Sequence, residues 1–268
     1  MGLAAAGCGG GDDGGAGSPT TAAAGAGAGG TTGTDAAEPL DVLVTNDDGY
    51  DAEGIDVLVE ALRTTPDVTV TVVAPATNQS GTGDRTTPGD LATSERTTAS
   101  GYDVVAVDGY PADTVTVALD ELGLTPDLVV SGINAGQNIG PLVDISGTVG
   151  AAKQAQRRGL PALAVSQGLT DGVAADYATA AELAVDWVDA HRGDLGSLAD
   201  SGEIESLNVP TCPAGEVRGV AEVAVGEDGS HVGDPVDCTS TAEGFADDVA
   251  AFLNGYASLT PVPAAAEG

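Results

Sequence analysis

The stretch LDVLVTNDDGYDAEGI, residues 40–55, decides the expectation for the fold. Its apolar run at 41–45 predicts a buried strand, and the strand runs straight into Asn-Asp-Asp-Gly. Apolar residues then recur at helical spacing over 54–62. A strand, a tight turn with two adjacent carboxylates and a helix are typical of the first unit of an α/β fold.

The same alternation continues along the chain. Further strands are predicted at 67–75, 102–109, 127–132, 160–166, 206–210 and 217–225, and further helices at 113–122 (capped by Asp113), 146–158, 174–191 and 244–254. We therefore expect an α/β fold, a mostly parallel central sheet covered by helices on both faces. Such sheets bind ligands beyond the carboxyl ends of their strands, where Asp47 and Asp48 lie.

Asp47 and Asp48 repel each other unless a positive charge lies between or near them. A hard divalent cation is the natural candidate, because Mg²⁺ and Mn²⁺ prefer oxygen ligands. Gly49 lets the backbone turn sharply beside them. The alternative is an ordinary Asp-Asp-Gly surface turn.

Three other loops follow predicted strands or open a helix, and each combines glycine with short polar side chains. They lie at 78–81, 131–138 and 144–148. Ser80 and Asn134 could complete the oxygen shell of a cation. Backbone N–H groups at a helix start favour an anion, so Ser146, Gly147 and Thr148 form a candidate phosphate site. Taken singly, each loop could equally be a turn or a helix cap.

Composition and missing motifs argue against several function classes. Asp and Glu number 41 and Lys and Arg 8, so the net charge is −33, and binding to a nucleic-acid polymer is not expected. The chain has no G-x-G-x-x-G fingerprint and no Walker lysine motif, which argues against NAD binding and ATP hydrolysis. His191 and His231 lack metal-ligand spacing.

Cys212 can be interpreted in three ways. Five residues separate it from Arg218, which is the spacing of the cysteine-phosphatase loop. The residues after Arg218 predict a strand, however, whereas that loop needs a helix start. The alternative is a disulfide with Cys238, which would fit an exported protein; two unpaired thiols remain a third option.

Residues 1–38 differ from the rest, since they are rich in Gly, Ala, Ser and Thr and contain no basic residue. Such a segment cannot bury a core, and we expect a flexible tail ahead of one domain at 39–268. Residues 3–8 end in Cys8 and resemble the end of a lipoprotein signal. We expect an exported or surface-tethered protein with Cys8 as the lipid acceptor; the alternative is a cytoplasmic protein.

Together, these segments resemble the survival protein SurE family of metal-dependent acid phosphatases and nucleotidases. The similar stretches occur in the family's order between about residues 40 and 262: VTNDDGYDAEGI, VVAPATNQSG, PDLVVSGINAGQNIG, SGTVGAAKQA, GLPALAVS, LNVP and GYASLTP.

The resemblance implies a Rossmann-like three-layer sandwich with a C-terminal extension used in oligomer exchange, as a homodimer or homotetramer. It implies hydrolysis of nucleoside 5′- or 3′-monophosphates with Mg²⁺ or Mn²⁺ as cofactor. By position, the metal ligands are Asp47, Asp48, Ser80 and Asn134; the phosphate is held near Asn46, Asn138, Ser146, Gly147 and Thr148; and the catalytic groups are Asp47, Asp48 and Asn138.

Three departures affect what the resemblance implies. Glu53 stands where the family usually has proline, Thr114 stands at a cysteine position, and residues 237–245 are hard to align. These departures leave the metal positions intact and bear on substrate preference and oligomer contacts. Two other classes stay open: a surface domain that binds nucleotide or metal without turnover, and a purely structural tethered domain.

Overall fold

The computed structural model describes residues 39–265 and Gly11. The predicted tail, including Cys8, lies otherwise outside the described residues. Within the described part, no helix is long and apolar enough to cross a membrane.

Strands and helices alternate through most of the described chain. The strands are β1 Leu40–Thr45, β2 Val68–Pro75, β3 Thr93–Thr97, β4 Asp103–Val107, β5 Leu128–Ala135, β6 Ala162–Gln167, β7 Glu203–Val209, β8 Val220–Glu222 and β9 Ala257–Pro263. The α-helices are α1 Glu53–Arg63, α2 Pro111–Thr116, α3 Gly147–Arg157, α4 Tyr177–His191, α5 Leu195–Asp200 and α6 Asp248–Leu253.

The nine strands of residues 39–265 form one sheet in the order β3-β4-β2-β1-β5-β6-β7-β9-β8. The β3–β4 and β7–β9 pairs are antiparallel and the other pairs are parallel. The order reverses beside β1, between β2 and β5, so the carboxyl end of β1 lies at the switch point where α/β sheets bind ligands. The predicted mostly parallel α/β sandwich is confirmed.

Both faces of the sheet are buried, as the alternating side chains of β1 show. Val42 and Val44 pack with α1 and α4 in one apolar cluster, whereas Leu43 packs with α3 in the other. A strand buried on both faces needs a continuous apolar sequence, which is what residues 42–44 provide.

The structure differs from the sequence expectation in several element bounds. The strand expected at 127–132 continues to Ala135 because its last residues pair with β6. The helix expected to start at Asp113 begins at Pro111, and Asp113 lies in its first turn, where its carboxylate accepts the N–H of Tyr110 at 2.9 Å. Its second half, Val117–Glu121, is a π-helix.

The short elements β3 and α5 and the seven-residue strand β9 escaped the sequence patterns altogether, and one strand was overestimated. The edge strand β3 has the polar sequence TSERT, and α5 buries none of its residues. The strand expected at 217–225 shrinks to the three residues of β8.

Cys212 and Cys238 form a disulfide, so that predicted pairing is confirmed. The bond ties the loop after β7 to the segment that precedes α6. Next to it lies a third, small apolar cluster, formed by Ile139, Val236, Cys238, Val249 and Phe252. This cluster lies apart from the two sheet faces and packs against the loop that follows β5.

Gly54 positions the site by letting α1 approach the end of β5. A Cβ atom at residue 54 would overlap the carbonyl oxygen of Ile133. We expect Gly54→Ala to lower the free energy of unfolding by about 3 kcal/mol, because either α1 or the β5 backbone must shift. Urea denaturation followed by circular dichroism measures this change.

Gly196 of α5 provides the matched control, since a Cβ there meets nothing within 4 Å. Gly196→Ala should leave the protein as stable or raise stability by up to about 1 kcal/mol. Equal effects of the two substitutions would contradict the close approach of α1 to β5.

Candidate functional site

Asp47 lies directly beyond β1 and is buried, with 3% of its surface exposed. Its carbonyl oxygen accepts the N–H of Gln79 at 2.7 Å, and its Oδ1 accepts the hydroxyl of Thr148 at 2.6 Å. Gly147 has no room for a side chain, since a Cβ there would lie 2.7 Å from the Cβ of Asp47. The start of α3 is thus packed directly against this carboxylate.

Burial raises the pKa of Asp47 from its ordinary value of 3.8 to about 6. The hydrogen bond from Thr148 lowers the pKa, and the neighbouring charge of Asp48 raises it. Among residues 39–265, no ion pair links an arginine, lysine or histidine to either carboxylate. A buried carboxylate without a basic partner is costly, and a bound cation would offset that cost.

Asp48 joins three strand ends. Its Oδ1 accepts the side-chain amide of Asn78 at 2.9 Å, and its Oδ2 accepts the N–H of Ala135 at 2.8 Å. These bonds hold the loop after β2 and the last residue of β5 against the end of β1. Sequence reasoning gave Asn78 no role, although its position beyond a parallel strand was a usable signal.

Ser80 and Asn134 are brought to the same edge. Ser80 is exposed, and its N–H donates to Oδ1 of Asn78. The side chain of Asn78 in turn bonds to Asp48, so Asn78 links Ser80 to Asp48. The amide nitrogen of Asn134 donates to the carbonyl oxygen of Gly136 at 2.6 Å. That bond uses the donor end of the Asn134 side chain, and its oxygen keeps its acceptor capacity.

Two residues of the sheet, Ser166 and Asn208, hold Asn138 in place, and the sequence patterns did not identify them. The backbone N–H of Asn138 donates to Oδ1 of Asn208 at 2.7 Å, and its Nδ2 donates to the hydroxyl of Ser166 at 2.8 Å. Ser166 and Asn208 are paired across β6 and β7, and Ser166 also pairs with Asn134. Their signal was their place near the carboxyl ends of neighbouring parallel strands.

The N-terminus of α3 lies beside Asp47, and its geometry suits an anion. Ser146 is the N-cap, and its hydroxyl accepts the N–H of Val149 at 3.1 Å. Gly147 and Thr148 form the first turn of the eleven-residue helix. The unpaired N–H groups and dipole of such a helix start favour a phosphate.

Asn46 plays a local role. Its amide donates to the carbonyl oxygen of Gly49 at 2.9 Å, and its Oδ1 accepts the N–H of Gly49 at 3.2 Å. Gly49 has a φ of 104°, which favours glycine. Asn46 therefore holds the turn that presents both aspartates, and its contact with a phosphate stays a prediction.

The chain is similar to known proteins over most of its length. The profile of the family "Survival protein SurE" matches residues 42–232. The chain belongs to the SurE family.

Relatives and a solved structure agree with that assignment. The chain is 41% identical over 181 residues to "5′-nucleotidase SurE 1" of Burkholderia lata, covering 67% of each chain. It is 35% identical over 241 residues to "5′/3′-nucleotidase SurE" of Yersinia enterocolitica, covering 83% of this chain and 91% of that one. The crystal structure of the SurE protein from Aquifex aeolicus superposes with a TM-score of 0.65 at 28% identity, covering 84% and 94%.

The donor set of this SurE site fits a hard divalent cation. It offers two carboxylates, the amide oxygen of Asn134 and the hydroxyl of Ser80, and oxygen ligands suit Mg²⁺ or Mn²⁺. In the described part of the chain, no three His, Cys, Asp or Glu residues cluster as a metal site. Neutral oxygens and water would therefore complete the shell, as is usual for Mg²⁺.

The disulfide rules out the thiol-phosphatase interpretation, because Cys212 has no free thiolate. Arg218 is also engaged elsewhere, since its guanidinium donates to the carbonyl oxygens of Ala242 and Asn254. His191 bonds to the carbonyl oxygen of Trp187 and His231 to Asp234, so neither histidine bonds to this edge.

The raised pKa of Asp47 leads to a prediction about metal-free stability. An acid whose pKa is raised on folding costs stability when it is ionised, so the cost is full above pH 6 and absent below pH 4. A rise from 3.8 to about 6 corresponds to about 3 kcal/mol. With EDTA at pH 7.5, Asp47→Asn should raise the free energy of unfolding by up to that amount, and at pH 4 the gain should vanish.

Asp113 is the matched control, because it is equally buried but its oxygens accept the backbone N–H groups of Tyr110 and Thr87. Asp113→Asn places an amide against one of these donors and should destabilise the protein at pH 7.5. Urea denaturation at both pH values measures both variants. A loss of stability in Asp47→Asn at pH 7.5 would show that its charge is compensated within the protein.

Proposed function

We propose that this SurE-family protein hydrolyses nucleoside monophosphates to nucleoside and phosphate with a divalent cation as cofactor. One observation carries the proposal: the hydrogen bond from Thr148 to Asp47 joins a carboxylate pair suited to a cation to a helix start suited to a phosphate. The names of the relatives, 5′-nucleotidase and 5′/3′-nucleotidase, support the substrate class.

In this proposal, Asp47, Asp48, Ser80 and Asn134 hold Mg²⁺ or Mn²⁺. A divalent cation held there would polarise the phosphate and lower the pKa of a bound water molecule. The chain's own contribution is to present both carboxylates from one turn, with Asn78 and Ala135 fixing Asp48.

The remaining residues act on the phosphate and on protons. The N–H groups at the start of α3 and the amide of Asn138 would stabilise negative charge on the phosphate oxygens. One aspartate takes the proton of the attacking water as general base.

We further infer that the protein works in an oxidising compartment, outside the cytoplasm. The Cys212–Cys238 disulfide supports this, since structural disulfides form and persist in exported proteins. It closes a loop with a sequence separation of 26, which stabilises the fold by about 3 kcal/mol.

The redox state of these cysteines in the native cells tests the location. Alkylation of free thiols at lysis, followed by mass spectrometry of the intact domain, should find Cys212 and Cys238 unmodified until a reductant is added. A soluble cytoplasmic fraction that carries both residues alkylated would overturn the inference.

The activity prediction is metal-dependent phosphate release from nucleoside 5′-monophosphates and also from 3′-monophosphates. Release should require Mn²⁺ or Mg²⁺ and stop with EDTA. Asp47→Asn should lower kcat by at least about 1,000-fold while the protein stays folded, because it removes a cation ligand and a base. Phosphate release from a panel of nucleotides, at low and high salt, measures both effects.

Asp51→Asn is the matched control, since Asp51 is an exposed carboxylate in the same segment. It should keep the wild-type rate. Full activity in Asp47→Asn would refute the assigned site, and no release from folded, metal-loaded protein at any salt would favour a binding domain without turnover.

A further inference from the structure

The segment of residues 134–140, called here the site loop, begins with the last two residues of β5 and carries both Asn134 and Asn138. On its inner side, Asn138 bonds to Ser166 and Asn208 at the ends of two strands. The sheet therefore holds the middle of the site loop. Its exit from the site, at Gly140, needs a separate support.

Asp248 supplies a support on the outer side. It is the first residue of α6 and is 1% exposed. Its Oδ2 accepts the N–H of Gly140 at 3.0 Å, and its Oδ1 accepts the N–H of Gly226 at 2.8 Å. One carboxylate thus joins the end of the site loop to the segment that follows β8.

Packing holds the same end of the site loop. Ile139 is fully buried in the third apolar cluster, beside Cys238 of the disulfide. Gly140 has a φ of 53°, and a Cβ there would lie 3.1 Å from a methyl group of Val249. The side-chain amide of Gln137 donates to the carbonyl oxygen of Val232 at 2.9 Å. The site loop cannot shift outward without displacing α6.

Capping of α6 does not explain why a buried carboxylate is present at residue 248. Asp247 already caps α6, since its carboxylate accepts the N–H of Ala250 at 2.8 Å. Burial raises the pKa of Asp248, so its charge is expensive to keep, although N–H groups of Gly140 and Gly226 donate to it. Within residues 39–265, it forms no ion pair. Its two long-range partners, Gly140 and Gly226, both lie outside α6.

We propose that Asp248 is a positioning residue of the nucleotidase site: its carboxylate holds the site loop where Asn134 faces the cation and Asn138 faces the phosphate. This inference rests on the proposed function. Asp248 touches neither cation nor substrate and acts through the backbone of Gly140.

The test compares Asp248→Asn with Asp247→Ala in the full chain. Asparagine keeps the size of residue 248 but turns an NH₂ group toward one of the two N–H donors. We expect Asp248→Asn to weaken Mn²⁺ binding about 10- to 100-fold and to lower kcat by a similar factor with little change in KM. Titration calorimetry with Mn²⁺ and steady-state kinetics measure these changes.

Asp247→Ala is the matched control, because it removes a cap from the same helix and leaves the carboxylate of Asp248 in place. It should lower the melting temperature but keep Mn²⁺ affinity and kcat within about twofold of wild type. Loss of stability alone therefore cannot produce the expected result.

Hydrogen exchange gives a readout that needs neither metal nor substrate. The amide of Asn138 bonds to Asn208 and not to Asp248, so its exchange reports on the whole site loop. It should become at least tenfold faster in Asp248→Asn and stay unchanged in Asp247→Ala. Equal exchange and equal Mn²⁺ affinity in the two variants would overturn the proposal.

If Asp248→Asn does not fold, Gln137→Ala tests whether the site loop is held from outside. This substitution removes only the half-buried hydrogen bond from Gln137 to Val232. Faster exchange at Asn138 and several-fold weaker Mn²⁺ binding would support a loop held from outside, and wild-type values would overturn it. A wild-type protein that releases no phosphate would refute the proposed function, and the exchange comparison would still decide whether Asp248 holds the loop.

Discussion

The buried carboxylate of Asp47 is the constraint around which the rest of the site is arranged. Its burial follows from the fold, because it is attached to a strand covered on both faces and is pressed by the start of α3. Within residues 39–265, a hydroxyl but no basic side chain bonds to it. A charge left uncompensated in this way lowers the stability of the cation-free protein and raises its affinity for a cation. The buried carboxylate of Asp47 therefore favours cation binding at the expense of stability.

The strongly acidic composition acts in the same direction. Of the eight basic residues, Arg63, Lys153, Arg157, Arg158 and Arg192 lie beside acidic side chains elsewhere in the fold. The net charge of −33 draws cations toward the protein and repels anionic nucleotides. Salt screens that repulsion, and a bound divalent cation reverses it locally, where the phosphate has to approach.

The sequence allowed the α/β class to be predicted and a candidate site to be assigned, because both depend on local patterns. Asn-Asp-Asp-Gly follows an apolar run, and Ser-Gly-Thr opens a helix. Local patterns place the supporting residues near strand ends but do not show which of them meet. Asn78, Ser166 and Asn208 matter only because β2, β6 and β7 end at the edge where β1 and β5 end, and sequence spacing does not show which strands are neighbours. Asp248 lies more than 100 residues from Gly140, and its role depends on how a C-terminal segment packs.

The misplaced bounds have similar causes. The glycine-rich stretch INAGQNIGP, residues 133–141, resembles a loop, yet Asn134 and Ala135 pair with Ser166 and Gln167 and extend β5. β3 was missed because it is a polar strand paired on one side only, so nothing in its sequence needs to be apolar.

That edge strand also limits how copies of the protein can meet. A sheet edge with free backbone groups invites another chain to add a strand, and charged or very short edge strands oppose this. One edge here is β3, whose exposed residues include Glu95 and Arg96, and the other is the three-residue β8. Both borders of the sheet are therefore poor templates for continuing it, which protects the protein from strand-by-strand aggregation and leaves helices and loops as the surfaces through which it can assemble.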